Sequence, residues 1–219
     1  MKSIKILGHE NSIFNQFIAE IRNVDIQADS MRFRRNMERI GEIFAYEISK
    51  TMNYTAQQVT TPLGELALNL IDNQPVLATI LRAGLPLHQG LLNYFDRAES
   101  AFISAFRKHY RDGSMEIQLD YLSAPNLEGK TLILADPMLA TGKSMELVYK
   151  ELLANGKPKH THIVSVIASV QGIEYLKTCF SPHNCTIWVG AVDEELTAQA
   201  YIVPGLGDAG DLAYGVKTE

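Results

Sequence analysis

The run Thr131-Leu132-Ile133-Leu134-Ala135-Asp136-Pro137-Met138-Leu139-Ala140-Thr141-Gly142-Lys143-Ser144 carries the densest chemistry in this chain. An apolar strand ends in an acid, a turn of small residues follows, and a helix begins at Ser144. In parallel α/β sheets, ligands bind outside the carboxyl ends of the strands. A tight turn there can aim several backbone N–H groups at one point. The helix that follows adds its positive N-terminal end. Thr141 and Ser144 add hydroxyl donors, so the run suits a phosphate monoester, and Asp136 is placed to accept hydrogen bonds from sugar hydroxyls beside it. Gly142-Lys143-Ser144 also matches the end of a nucleoside-triphosphate P-loop. That motif needs glycine where Pro137 stands, so the triphosphate reading fails.

Two further features could work with this loop. Tyr201-Ile202-Val203-Pro204-Gly205-Leu206-Gly207-Asp208-Ala209-Gly210-Asp211 is glycine-rich, allowing close backbone approach and positive φ. The aperiodic stretch from Gly205 to Gly215 is read as an irregular loop, and one so late in a chain suggests function more than connection. Arg82, at the end of an apolar run and followed by Ala83-Gly84, offers a planar fork suited to a bidentate phosphate contact. Arg107 closes the run Ala101 to Phe106 in the same way. A lone arginine at a strand end is usually a surface residue; the two loops change that weighting, more firmly for Arg82.

The elements that must hold these residues follow from hydrophobic patterning. Residues 76–81, 101–106, 131–135, 162–168 and 186–192 are almost continuously apolar, as buried parallel strands are. Helical patterns lie between several of them, at 144–154 with Gly156 as its stop, and at 172–180. Alternation of this kind predicts an α/β fold, a parallel twisted sheet flanked by helices. Upstream, Phe33, Met37, Ile40, Phe44 and Ile48 form one stripe of a helix over 30–52, with Ser30 as its N-cap. Arg32, Arg34, Arg35, Glu38 and Arg39 fall mostly on its solvated side. The interval Lys108 to Lys130, with Arg111-Asp112-Gly113-Ser114 inside it, reads as a projecting hairpin or a lid over a site.

Composition sets the bounds. The 219 residues, 46% of them hydrophobic, fit one large domain, or a domain with a small appendage, with its own core. A net charge of −5 gives no global attraction for nucleic acid or an anionic membrane. Cys179 and Cys185 lack metal or redox spacing, the six histidines show no ligand spacing, and a reducing compartment is the default. No apolar run is long enough for a signal peptide or a membrane span. A cytoplasmic location is expected.

Asp136-Pro137-Met138-Leu139-Ala140-Thr141-Gly142 resembles the phosphoribosyl-pyrophosphate loop of uracil phosphoribosyltransferases, with Pro137 where enzymes for other bases usually carry a second acid. Lys143 departs from the glycine usual there; a solvent-facing lysine is expected, since the backbone already supplies donors. The run from Tyr201 to Asp211 is similar, almost residue for residue, to the base loop of the same family. Ile80-Leu81-Arg82-Ala83-Gly84-Leu85 matches its pyrophosphate-binding segment. Arg107 matches a second such arginine more loosely, because Lys108-His109-Tyr110-Arg111 departs from the acidic family pattern. Phe44-Ala45-Tyr46-Glu47 and Thr61-Pro62-Leu63-Gly64 are fainter echoes.

The resemblance implies one type I phosphoribosyltransferase domain over residues 1–219, with an α/β core at 76–192 and a base-binding loop at 201–215. It implies uracil and 5-phosphoribosyl 1-pyrophosphate as substrates and UMP and pyrophosphate as products. The donor falls to Arg82, Arg107, Asp136, Pro137, Met138, Leu139, Ala140, Thr141, Gly142, Lys143, Ser144 and Asp208. Uracil falls to Tyr201, Ile202, Gly207, Asp208 and Ala209, whose backbone groups can answer the ring's carbonyls and N–H groups and leave a wrong base unpaired. Catalysis falls to Asp208, Arg82 and Arg107, with Mg²⁺ held mainly through substrate and water oxygens and no dedicated protein cage. It also implies a homo-oligomer, and a GTP effector as in some bacterial relatives, although no separate guanine-reading motif stands here. Two alternatives keep the fold: the same transfer to another base, which the run from Ile202 to Asp211 disfavours, and a nucleotide- or RNA-binding regulator without turnover, which the acidic balance disfavours.

Overall fold

The five apolar runs become the strands of one sheet. The structure, a computed structural model, describes residues 4–109 and 115–217, with side chains outside 106–109 and 115–117. In chain order it comprises β1 (Ile4–Ile6), α1 (Ile13–Arg22), α2 (Val24–Gln27), α3 (Ser30–Ser49), β2 (Tyr54–Thr61), β3 (Gly64–Ile71), β4 (Val76–Leu81) and α4 (Gly84–Tyr94). Then come β5 (Glu99–His109), β6 (Met115–Ser123), β7 (Thr131–Ala135), β8 (Met138–Leu139), α5 (Lys143–Leu152), β9 (His160–Ser169) and α6 (Val170–Cys179). The chain closes with β10 (Cys185–Asp193), β11 (Glu195–Leu196), β12 (Ile202–Val203) and α7 (Ala209–Tyr214).

The main sheet runs β1-β10-β9-β7-β4-β5-β6, with β8 paired to β9. Every pairing is parallel except β5 with β6. β4 pairs with β5 on one side and β7 on the other, so strand order reverses there. That reversal leaves a crevice at the carboxyl ends of β4 and β7, where open α/β sheets bind ligands.

Helices bury the sheet from both sides. The stripe of α3 works as its spacing requires: Phe33, Met37, Ile40, Phe44 and Ile48 are all buried, in a core shared with Phe14, Leu87, Leu91 and Trp188. A second core joins α5 and α6 to the opposite face through Met145, Val148, Leu152, Ile173 and Leu176. Both cysteines are free thiols, Cys179 exposed and Cys185 buried.

Four expectations need correction. The N-cap of α3 is Asp29 rather than Ser30, since one Asp29 carboxylate oxygen accepts from Met31 N and Arg32 N. A carboxylate reaches those two amides from one residue earlier. α5 begins at Lys143, with Gly142 in the cap position. β5 runs on past Phe106 to His109, because antiparallel pairing with β6 continues through Arg107↔Ile117 and Lys108↔Glu116. Arg107 is therefore inside a hairpin arm and does not close a strand. Lastly, residues 209–214 are helical, as described below. The expected hairpin in 108–130 is present in its two arms; residues 110–114 lie outside the described residues.

Two buried histidines make stability depend on pH. Burial lowers His88 to about 4 and His162 to about 3. His162 Nδ1 accepts from Trp188 Nε1 at 3.0 Å, which requires the ring to be neutral. Between these values and the free-histidine value of about 6.5 the unfolded chain binds more protons than the folded one, so acid favours unfolding. Stability is thus expected to fall below about pH 6.5, by at most about 1.4 kcal/mol per pH unit for each ring. Equilibrium denaturation at a series of pH values checks this; a midpoint unchanged down to about pH 5 would show that the rings ionise in place.

Candidate active site

Three segments converge on the crevice. The first follows β4. Thr79 Oγ1 donates to Ala135 O on β7, tying the two strand ends together. Leu81 and Arg82 are joined by a cis peptide bond, and α4 starts two residues after Arg82.

The second segment follows β7. Asp136 N donates to Val164 O at 3.0 Å, and the Asp136 carboxylate accepts from Met138 N at 3.4 Å. Pro137 is buried, and its carbonyl accepts from Val166 N and Ile167 N on β9 at 3.0 and 2.9 Å. Met138 and Leu139 form the short strand β8 against Ile167 and Ala168. The expected small-residue turn is therefore partly a strand, braced by the neighbouring sheet. Ser169, buried at the end of β9, donates from Oγ to Ala140 O at 2.5 Å and accepts from Gly172 N at 2.8 Å. Gly142 then turns the chain into α5 with φ 80°, a left-handed conformation that suits glycine. Thr141 and Ser144 are half-buried at that helix start, and Lys143 is exposed, as expected of a lysine facing solvent.

The third segment is the C-terminal loop. Ile202 is buried in β12, paired to Leu196 on β11, while Tyr201 is exposed. Val203 and Pro204 are joined by a cis peptide bond. Gly207, at φ 93°, faces open space on its α-carbon. Asp208 caps α7: its Oδ1 accepts from Gly210 N at 2.9 Å and from Asp211 N at 3.0 Å. Ala209 is buried beneath that cap. Six residues are too few for periodicity to reveal a helix, which is why this stretch reads as loop in the sequence. α7 is held from outside by Arg34, whose Nη1 donates to Ala213 O at 2.6 Å and whose guanidinium lies over the Tyr214 ring. Arg34 therefore does not belong to the solvated face of α3.

One contact joins the first segment to the third across 129 positions of sequence: Arg82 Nη2 donates to Asp211 Oδ1 at 3.2 Å. It also donates to Gly215 O at 3.3 Å. A methyl group placed on Gly210 would stand 3.2 Å from Asp208 Oδ1 and 3.6 Å from Arg82 Nη2. The guanidinium and the Asp208 carboxylate thus flank one point at the crevice mouth. The pair Arg82–Asp211 is partly exposed, with side chains 42% and 27% accessible, so an anionic ligand can displace it at small cost.

Arg82, Asp208 and the loop 136–144 therefore lie where the topology brings three chain segments to one rim. The side chain of Arg107 falls outside what is described. Sequence reasoning passed over Asp211 as a partner of Arg82, and Ser169 as the brace of the loop 136–144. Ser169 had a local signal, a serine ending an apolar strand three residues before a glycine. It also passed over the pair Arg22 and Asp193, which are 171 positions apart and carry no local signal.

A family model described as uracil phosphoribosyltransferase matches residues 9–216. A protein of Porphyromonas gingivalis named uracil phosphoribosyltransferase is 55% identical over 211 residues, covering 96% of this chain and 97% of that protein. One of the same name from Thermococcus gammatolerans is 37% identical, covering 96% and 93%. The solved structure of the AQ2163 protein from Aquifex aeolicus superposes with a TM-score of 0.86 at 29% identity, covering 99% of this chain and all of that one.

Proposed function

The chain belongs to the uracil phosphoribosyltransferase family, and from that premise we propose that it joins uracil to 5-phosphoribosyl 1-pyrophosphate, yielding UMP and pyrophosphate. The observation that carries this reading is the meeting of Arg82 with the Asp208 turn at the strand-order reversal. The ribose 5-phosphate sits at the N-terminus of α5, against the loop 136–144, with Asp136 toward the ribose hydroxyls. Arg82 leaves Asp211 for the pyrophosphate, and Arg107 joins it from β5.

In the reaction the bond from C1′ to the pyrophosphate oxygen breaks and the electron pair leaves with pyrophosphate. The bond from C1′ to uracil N1 forms, and the N1 proton goes to a carboxylate, which we assign to Asp208. Uracil lies against Ile202 and the backbone of 207–209, with Tyr201 at the entrance. Asp136, Asp208 and Asp211 are the crevice carboxylates able to receive waters of a hydrated Mg²⁺. Mg²⁺ would be held there mainly through substrate and water oxygens, as this ion usually is. Bound there, Mg²⁺ supplies positive charge for the departing pyrophosphate.

The same reading places the reaction in cytoplasmic pyrimidine salvage, with the hairpin β5–β6 as a cover that excludes water. Among the described residues no helix is long and apolar enough to cross a membrane. It includes GTP as an effector to be tested, and assembly with further copies of the chain. The hairpin β2–β3 supports the latter: Leu63 at its tip is fully exposed, and Leu66, Leu68 and Leu70 are 40–44% exposed along one arm. The deciding experiment is Mg²⁺-dependent turnover of 5-phosphoribosyl 1-pyrophosphate with uracil, cytosine, orotate, hypoxanthine and guanine. UMP is the expected product. Turnover of a different base, or no product from uracil with or without GTP, would overturn the reading.

A further inference from the structure

The loop that carries Asp208 is anchored through Gly205. Asp193, the last residue of β10, and Arg22, the last of α1, form a bidentate pair at 2.8 and 2.9 Å. Both groups continue to the same glycine. Gly205 N donates to Asp193 Oδ2 at 2.9 Å, and Arg22 Nη1 donates to Gly205 O at 2.9 Å. The two polar groups of Gly205 are thus both satisfied by one ion pair.

The surroundings make this a rigid anchor. Asp193 is 7% exposed and Arg22 21% exposed. Gly205 is buried at φ 55°, and a β-carbon there would stand 2.1 Å from Ile202 O. The next residue, Leu206, is buried in the core. Its carbonyl accepts from the Gln27 amide at 2.9 Å when that amide is turned to face its two acceptors, the other being Ile21 O. Two consecutive residues are therefore fixed by the α1–α2 corner, immediately before Gly207 and Asp208. An apolar substitute could fill the space but could not pair both peptide groups of Gly205.

We propose that Arg22 and Asp193 are positioning residues for the base-side loop: their pair holds Gly205 and thereby sets where Gly207, Asp208 and Ala209 stand against the ring of the base. This rests on the reading of the reaction given above. The first two helices are then part of the apparatus for recognising the base, although Arg22 and Gln27 are far in sequence from the loop they hold.

Arg22→Lys keeps the charge and removes the fork; Asp193→Asn keeps an acceptor for Gly205 N and removes the ion pair. Two measurements on each variant test the proposal. Hydrogen exchange of the amides from Gly205 to Asp211 reads the anchor with no substrate present, and exchange there is expected to speed up by about tenfold while that of β7 and β9 stays unchanged. Steady-state kinetics are expected to show the KM for uracil up by about tenfold and that for 5-phosphoribosyl 1-pyrophosphate, which meets this loop through its carboxylates alone, up by a smaller factor of about threefold. A lower melting temperature with unchanged exchange at 205–211, or with both KM values moving together, would assign the pair a purely structural role and overturn the proposal. If one variant fails to fold, the other carries the test. If the parent makes no UMP, the reaction falls separately, and hydrogen exchange alone then decides whether the pair positions the loop.

Discussion

Asp208→Asn is expected to lower kcat by at least about a hundredfold, the usual scale for loss of a positioned proton acceptor, while leaving the fold intact. The choice of asparagine matters because Asp208 has two roles. Its Oδ1 caps α7 by accepting from Gly210 N and Asp211 N, and asparagine caps about as well as aspartate. The variant therefore keeps the turn and the Ala209 packing and removes only the negative charge and the basic oxygen. Asp208→Ala would lose the cap as well, with a loss of about 1 kcal/mol in stability that confounds the reading. Lys217 Nζ lies 3.8 Å from Asp208 Oδ2, but that pair is exposed and contributes little. Kinetics beside thermal unfolding check the expectation. A kcat within about twofold of the parent would show that the N1 proton goes elsewhere.

Arg82→Ala is expected to reduce kcat/KM for 5-phosphoribosyl 1-pyrophosphate by about a hundred- to a thousandfold, the range for removing a donor from charge that develops in the transition state. Stability should hardly change, because the partners Arg82 now has, Asp211 and the Gly215 carbonyl, are at the exposed rim, and an exposed ion pair is worth roughly 0–1 kcal/mol. Arg82→Lys should recover only part of the loss, since an ammonium group cannot reproduce the planar fork. Asp211→Asn separates the two uses of this arginine. If Asp211 only occupies Arg82 until substrate arrives, that variant keeps near-parental kcat; if Asp211 aims the guanidinium, kcat/KM for the donor falls with it. Retention of donor affinity in Arg82→Ala would remove the pyrophosphate contact from the mechanism.

Both predictions concern residues visible in the sequence, and the reason is local. Arg82 ends an apolar run, and Asp208 sits among glycines whose freedom is needed only where the backbone must approach something closely. The core strands were legible for the same kind of reason. Val76–Leu81 and Thr131–Ala135 are strands over those same residues, because buried parallel strands leave uninterrupted apolar runs. Elements without that signature were harder. β1 is three residues long and finds its place by pairing with β10 and packing Ile4 against the core. β2 and β3 are largely exposed on both sides, so burial imposes no pattern on them. α7 depends on a cap at Asp208 and an external hydrogen bond from Arg34, neither of which periodicity reports.

What the chain alone determined was therefore the fold class and the local character of three short stretches, the loop 136–144, the glycine-rich run 201–211 and the arginine that follows β4, since each depends on near neighbours. Tertiary structure decided how these parts meet. The reversal of strand order beside β4 sets the crevice, Arg82 reaches Asp211 from 129 positions away, and Arg22 reaches Asp193 from 171 positions away to seize Gly205. Such contacts arise when packed layers bring distant segments together, and a charge destined for burial looks the same along the chain as one destined for solvent. Only the fold, by removing water around Asp193, turns that carboxylate from a surface group into one that requires a partner.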